Sequence, residues 1–199
     1  MGYIGSKPAD KALTSADIED GTIQIADLSA TGTKDATTFL RGDNTFASAG
    51  GDNTPYFLTT LGTSFTTTSN TLVKVPFDNE IFDTDNCYDN STNYRFTPTT
   101  AGKYYVFTNL RMRAEYGGAY ANLEAEIYKN GSSAFHSILQ SCGAYSATLT
   151  CHSIINMNGT SDYVEIYVKQ DTGGNLSNGV YGDSIKTGTS IFGAYKIIE

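Results

Sequence analysis

Asp162-Tyr163-Val164-Glu165-Ile166-Tyr167-Val168-Lys169 alternates branched aliphatic side chains with polar or aromatic ones. A strand turns successive side chains to opposite faces, so this period of two puts Val164, Ile166 and Val168 on one side. Leu123-Glu124-Ala125-Glu126-Ile127-Tyr128 repeats the pattern and runs into Lys129-Asn130-Gly131. Asn-Gly after an alternating run is the strongest short hairpin signal, because both residues accept the positive φ of a two-residue turn. Tyr104, Val106, Leu110 and Met112 define a third inward face, and a last run spans Ile191 to Ile198. Short strands at near-regular spacing, with turn residues between them, predict a β-sandwich over about residues 54–199. A domain of that size buries roughly 68–70% of its chain surface, enough for a core without covalent staples.

Composition agrees. The 199 residues include 27 Thr, 20 Gly, 14 Tyr and 10 Phe but no Trp, a mixture rich in strand and turn formers and poor in helix formers. Thirteen Lys and Arg against 21 Asp and Glu leave a net charge of −8. That balance argues against nucleic acid, which needs clustered cations to displace counterions. No apolar run approaches the roughly 20 residues of a membrane helix, so no membrane insertion is expected. The start, Met1 to Pro8, has no charged-then-apolar signal segment, and folding in a reducing cytoplasm is expected. Met1-Gly2 with Ser6 meets the loose myristoylation pattern by chance, there being no second anchor nearby.

Residues 1–53 have a different texture. Small apolar segments sit between punctuation, and the region closes on Ala47-Ser48-Ala49-Gly50-Gly51-Asp52-Asn53, a flexible linker by composition. So few large apolar residues cannot offset the entropy of ordering, and this segment is expected to order only against a partner.

No chemistry stands out. The sequence lacks GxSxG, HExxH, Walker and GxGxxG patterns. His136 and His152 fall in strand-like stretches without a local Asp, and Glu124 with Glu126 reads as a solvated strand face. Cys87, Cys142 and Cys151 are odd in number with no CxxC spacing, so no structural zinc is expected. Cys142 and Cys151 either face each other across a hairpin centred near Ser146-Ala147 or remain buried free thiols. Asp83, Asp85 and Cys87 begin like a calcium loop, but Tyr88 stands where its glycine belongs and Tyr94 where its bidentate acid belongs. Asp83 and Asp85 therefore stay as weak calcium candidates in what is read as a solvated acidic loop. Arg41-Gly42-Asp43 reads as a turn between short apolar anchors.

Aromatic residues fall opposite the aliphatic ones: Tyr105, Phe107, Tyr128, Tyr163 and Tyr167. Contiguous exposed aromatics mark interfaces, so these five are the expected oligomer contacts.

Two resemblances rest on quoted residues. Val75-Pro76-Phe77-Asp78, Tyr94-Arg95-Phe96-Thr97-Pro98, Ala101 to Phe107, Ile127 to Gly131, Met157 to Val164 and Ser190 to Tyr195 resemble the globular head of complement component one-q. That head is the jelly roll shared with tumour necrosis factor. The resemblance implies an all-β jelly-roll sandwich, a homotrimer, and ligand binding by exposed loops without catalysis or cofactor. The family's collagen stalk is absent, for no Gly-X-Y repeat occurs. Tyr3 to Pro8, Asp17 to Ile23 with Ala26 to Ser29, and Thr38-Phe39-Leu40-Arg41-Gly42-Asp43-Asn44-Thr45-Phe46 resemble the virion-attachment ends of bacteriophage fibre proteins, especially those of marine phages. Long fibres carry several copies of the middle motif, whereas this chain has roughly one, which implies a short fibre or spike.

The combined expectation is a non-enzymatic virion protein, assembled in the host cytoplasm. An extended attachment segment (1–53) would hold other virion proteins, capsid or tail, through Tyr3, Ile4, Ile18, Ile23, Ile25, Leu28, Phe39, Leu40 and Phe46. A trimeric head (54–199) would bind a host-surface glycan or protein through loops bearing Tyr88, Asp89, Tyr116, Tyr120, Asp171 and Asn175. The rival reading is a capsid or tail decoration protein with no receptor role. A secreted head-domain protein and a depolymerase rank below both.

Overall fold

A computed structural model describes residues 29–48, 53–113, 120–142, 146–171, 182–185 and 189–198. The chain divides into two compact units, Met1–Gly50 and Gly51–Glu199. In the first, β1 (Thr38–Leu40) and β2 (Phe46–Ser48) form a hairpin, with a parallel bridge from Thr31 to Thr45. Its tip is Arg41-Gly42-Asp43-Asn44. Asn44 supplies a φ of 61° and the Arg41 guanidinium pairs with Asp43 at 3.4 Å, making the tripeptide a turn.

The second unit carries thirteen described strands. They are β3 (Tyr56–Thr60), β4 (Phe65–Thr68), β5 (Val73–Lys74), β6 (Asn79–Asp83), β7 (Tyr88–Asp89), β8 (Arg95–Phe96), β9 (Gly102–Arg113), β10 (Tyr120–Lys129), β11 (Ser132–Cys142), β12 (Ser146–Met157), β13 (Val164–Asp171), β14 (Gly182–Ile185) and β15 (Ile191–Lys196). Among the described residues one 3₁₀ turn, Thr84–Asn86, interrupts them and no α-helix occurs. In the first sheet β9 is flanked along its length by β12; on its other side run β15, β3 and β6, with β14 and β4 continuing from its end. The second sheet orders β11-β10-β13-β8-β7, and β5 also pairs with β13. All pairings in both sheets are antiparallel.

The alternation read from the sequence builds the core. Val106, Leu110 and Met112 from the first sheet meet Leu123, Ala125, Ile127, Val164, Ile166 and Val168 from the second, all fully buried. Beside them Phe57 lies 4.5 Å from Phe96, 4.7 Å from Tyr88 and 4.9 Å from Phe192, centroid to centroid. Aromatic pairs at such separations add to burial through their quadrupoles. Tyr88 therefore belongs to the core and not to a receptor-binding surface: its hydroxyl donates to the Phe77 carbonyl at 3.0 Å, and burial pushes its pKa up.

Two turns are tied together. Asn130 (φ 51°) and Gly131 (φ 78°) make the expected hairpin turn between β10 and β11. The Asn130 side chain accepts from the Tyr163 N–H and donates to Asp162, while Lys129 pairs with the same Asp162 at 2.8 Å. Asn158 in turn accepts from the N–H groups of Thr160, Ser161 and Asp162. Gly159 is required there, because at φ +71° a Cβ would run into the backbone of Thr100 and Ala101.

Ser146 and Ala147 are not a hairpin tip. They open β12 and pair with Arg113 and Met112 of β9. Cys142 ends β11 in the other sheet, and Cys151 is a buried free thiol whose pKa burial pushes up to about 11. The hairpin-facing alternative for the two cysteines is thereby overturned.

Candidate association face

The same alternation that buries Val106 and Leu110 turns Tyr105 and Phe107 outward, and the register of the first sheet decides what stands beside them. Ile154, Tyr105, Tyr195 and Tyr56 face one another across β12, β9, β15 and β3. One step along, His152, Phe107, Gly193, Leu58 and Phe82 form a second row reaching β6. The rings touch: Tyr105 lies 5.5 Å from Tyr195, 5.9 Å from Phe107 and 5.8 Å from His152, and Tyr56 lies 5.6 Å from Phe82. Ile154 is 59% exposed, Phe82 44%, Tyr195 41% and Tyr56 38%. A monomeric sandwich ordinarily covers such a face with charge.

Gly193 shapes the centre of this face. A Cβ built there would stand 2.6 Å from Cζ of Phe107 and 3.0 Å from the Phe57 carbonyl oxygen. The absent side chain lets the Phe107 ring lie across β15, and a hollow of about 240 Å³ opens beside it toward Tyr56 and Phe82. Sequence reading found Tyr105 and Phe107 but missed Tyr56, Leu58, Phe82, Ile154, Tyr195 and Gly193. Tyr195 was open to discovery, since it follows Phe192 and Ala194 in one alternating run.

The other three expected contacts lie elsewhere. Tyr128 and Tyr167 point from β10 and β13 on the outside of the second sheet, and Tyr163 precedes β13 under the Arg95 guanidinium, 4.4 Å from its ring centroid. The five residues thus divide into two groups, Tyr105 and Phe107 on the outside of the first sheet and Tyr128, Tyr163 and Tyr167 on that of the second.

Among the loop candidates, Asp89 is committed to its own turn. Its carboxylate accepts from the N–H groups of Ser91, Thr92 and Asn93 and from the Asn93 amide. The Thr92 N–H is the largest of the causes that hold its pKa well below the usual carboxylate range. Tyr120 begins β10 and Asp171 ends β13. Tyr116 and Asn175 lie outside the described residues, as do Tyr3, Ile4, Ile18, Ile23, Ile25 and Leu28 of the attachment segment. Phe39 and Leu40 are exposed on β1, and Phe46 opens β2 with the Lys34 ammonium 5.8 Å from its ring.

The weak calcium candidates Asp83 and Asp85 fall at the end of β6 and on the 3₁₀ turn. Asp83 caps the Tyr88 N–H, burial raises its pKa, and its second oxygen is buried without a partner. Asp85 is exposed on the 3₁₀ turn, and among the described residues no three His, Cys, Asp or Glu side chains gather around a common point.

No family model matches the chain, and no curated protein matches it significantly. Solved structures do. Crystal structures of murine APRIL at pH 8.0 and pH 5.0 align with TM-scores of 0.52 and 0.51. They share 7% and 8% identity, cover 72% and 71% of this chain, and are themselves covered to 98% and 99%. The fold is a jelly roll. The globular domain of zebrafish complement 1qA protein also aligns, at 16% identity and a TM-score of 0.49, over 72% of this chain and 97% of its own. The likeness to the murine APRIL structures is one of fold alone, and it agrees with the all-β jelly roll expected from the sequence.

Proposed function

We propose that the chain is a non-enzymatic virion protein, a short trimeric bacteriophage spike held to the particle by its first segment and presenting the jelly roll to a host-surface glycan or protein. The observation that carries this reading is the two-row apolar face of the first sheet. A surface of that kind is stable in water only when covered, and a second copy is the occupant with a matching surface. The matching surface is the edge of the second sheet, where β11 has no outer neighbour among the described residues and Phe135 (43% exposed) and Ile138 (45%) stand open. Face against edge is a heterologous contact, which closes into a ring when the rotation allows. Three copies would carry about −24, enough for solubility.

Support for the virion role is the likeness of Thr38–Phe46 to phage attachment ends, here a hairpin exposing Phe39 and Leu40 for docking. A two-stranded hairpin is marginal alone, so a partner is needed to hold it. Weak single-site receptor binding suffices, because three heads on each of many spikes raise avidity by roughly 10²–10⁴.

Two measurements test the reading. Imaging of the virion should place the protein at the adsorption end, and purified full-length chain should block phage adsorption to host cells in a dose-dependent manner. If the chain neither binds cells nor competes, while its deletion weakens particles, the decoration role replaces the receptor role.

A further inference from the structure

On the outside of the second sheet, Arg95 has no carboxylate partner among the described residues. Phe96 and Tyr88 turn into the core, so Arg95 and Asp89, opposite each other in register, turn outward. They do not pair. Asp89 spends its two oxygens on five donors of its own turn: the Ser91, Thr92 and Asn93 N–H groups, the Ser91 hydroxyl and the Asn93 amide. Other carboxylates of this side are engaged too, Glu165 with Lys74, Glu124 with Lys169 and Asp162 with Lys129. Glu126 lies farther along β13, opposite Tyr167. The Arg95 guanidinium instead lies over the Tyr163 ring, 4.4 Å from its centroid. A ring face attracts the cation through its quadrupole and takes up none of the N–H donors that fan out in the guanidinium plane. Among the described residues those donors meet no acceptor.

Arg95 borders a hollow of about 200 Å³ at the β7–β8 end of the sheet, and Asn86, Asn93 and Thr97 stand on its walls. The Asn93 amide nitrogen is given to Asp89, which leaves its oxygen open, and the Asn86 amide and Thr97 hydroxyl have no partner among the described residues. We propose that this hollow binds the carboxylate of an acidic sugar, a uronic or a sialic acid. A planar carboxylate matches the guanidinium fork through two parallel hydrogen bonds, and the Tyr163 ring holds that fork in place beforehand. Sugar hydroxyls find both donors and acceptors in the two amides and the threonine hydroxyl. Charge limits the ligand to one negative group at this point. Asp89 stands on the rim, Asp85 on the adjoining 3₁₀ turn, and the chain carries −8, so a phosphate dianion or a run of acidic residues is repelled. Tyr88 and Cys87 beneath the hollow are buried in the core, which leaves no apolar recess for a peptide side chain. The inference rests on the receptor reading and narrows it to a sugar class and to one end of the second sheet.

The test titrates the full-length chain with a glucuronic-acid disaccharide, with sialyllactose, with neutral lactose and with inorganic phosphate, by calorimetry and NMR shifts. At least one acidic saccharide should bind, and the stronger of the two names the source of the carboxylate; lactose and phosphate should not bind. Affinity should fall about tenfold or more in Arg95→Gln, and about tenfold in Arg95→Lys, which keeps the charge and loses the fork. Tyr163→Leu, which removes the ring and keeps the cation, should cost about threefold. Should a variant fail to fold, the shifts in the unaltered chain must centre on Arg95, Asn86 and Asn93. The proposal is overturned if neither acidic saccharide binds, if lactose or phosphate binds as well, if Arg95→Gln keeps full affinity, or if the shifts centre elsewhere. Adsorption assays separate it from the receptor reading. A chain that blocks phage adsorption yet binds neither saccharide overturns this site alone, whereas one that binds the saccharide and leaves adsorption unchanged overturns the receptor role alone.

Discussion

If the proposed trimer forms through the first sheet, replacing Tyr195 by serine should separate its three copies without unfolding any of them. Its ring is 41% exposed in the single chain. Taking roughly 200 Å² for an aromatic side chain, about 80 Å² remains to be covered by a neighbour. At about 25 cal/mol per Å² that is about 2 kcal/mol at each seam. A closed trimer has three seams, so assembly loses about 6 kcal/mol, a factor on the order of 10⁴ in the overall equilibrium. Trimer formation scales as the square of the free protein concentration, and the concentration of half-assembly should therefore rise about a hundredfold. Equilibrium sedimentation from nanomolar to high micromolar loading measures this shift, and circular dichroism confirms that the β signal is kept. An unchanged midpoint, or unaltered protein that stays monomeric at micromolar concentration, refutes the assignment of this face. A variant that loses its β signal would show that Tyr195 serves the fold and not the seam.

Gly193→Ala should lower the melting point of the head by about 3–10 °C, because overpacking against Phe107 and the Phe57 carbonyl costs about 1–3 kcal/mol; differential scanning calorimetry reads it. Asp89→Ala removes the acceptor of three N–H groups and should cost about 1–2 kcal/mol at neutral pH by chemical denaturation. Because the folded state depresses this pKa, the stabilisation is full above the unfolded value near 4 and is lost as pH falls through the folded one, so the variant's deficit should shrink in acid. Lys74→Met leaves Glu165 buried and uncompensated, at a cost of about 3 kcal/mol in urea titration. Pairing it with Glu165→Met should recover most of that loss, since an apolar pair carries no desolvation debt.

The strands that bury one face were legible because their period is local. Val164, Ile166 and Val168, Leu123 and Ile127, and Tyr104, Val106, Leu110 and Met112 all point inward as their alternation required. What the period does not contain is the partner across a sheet. Tyr105 and Tyr167 look alike in sequence, each aromatic opposite aliphatics, yet β9 and β13 belong to different layers. Tyr88 misled for a related reason: it sits in an acidic, turn-rich stretch, but the chain on either side delivers it to Phe57 in the core. Ile154 and Phe82 gave weak signals, because their meaning depends on partners in other strands, Tyr105 for Ile154 and Leu58 for Phe82.

Assembly and recognition, if each keeps to its own side of the sandwich, are also separable in descent. A substitution on the outside of the second sheet leaves the rows of Ile154 to Tyr56 and His152 to Phe82 untouched, the two being divided by a packed interior. Under the proposed function, one wall could therefore be rewritten while the other went on holding the copies together. The interior between them, built from small repeated choices of Val, Ile and Leu, is the insulation that makes such independent variation workable.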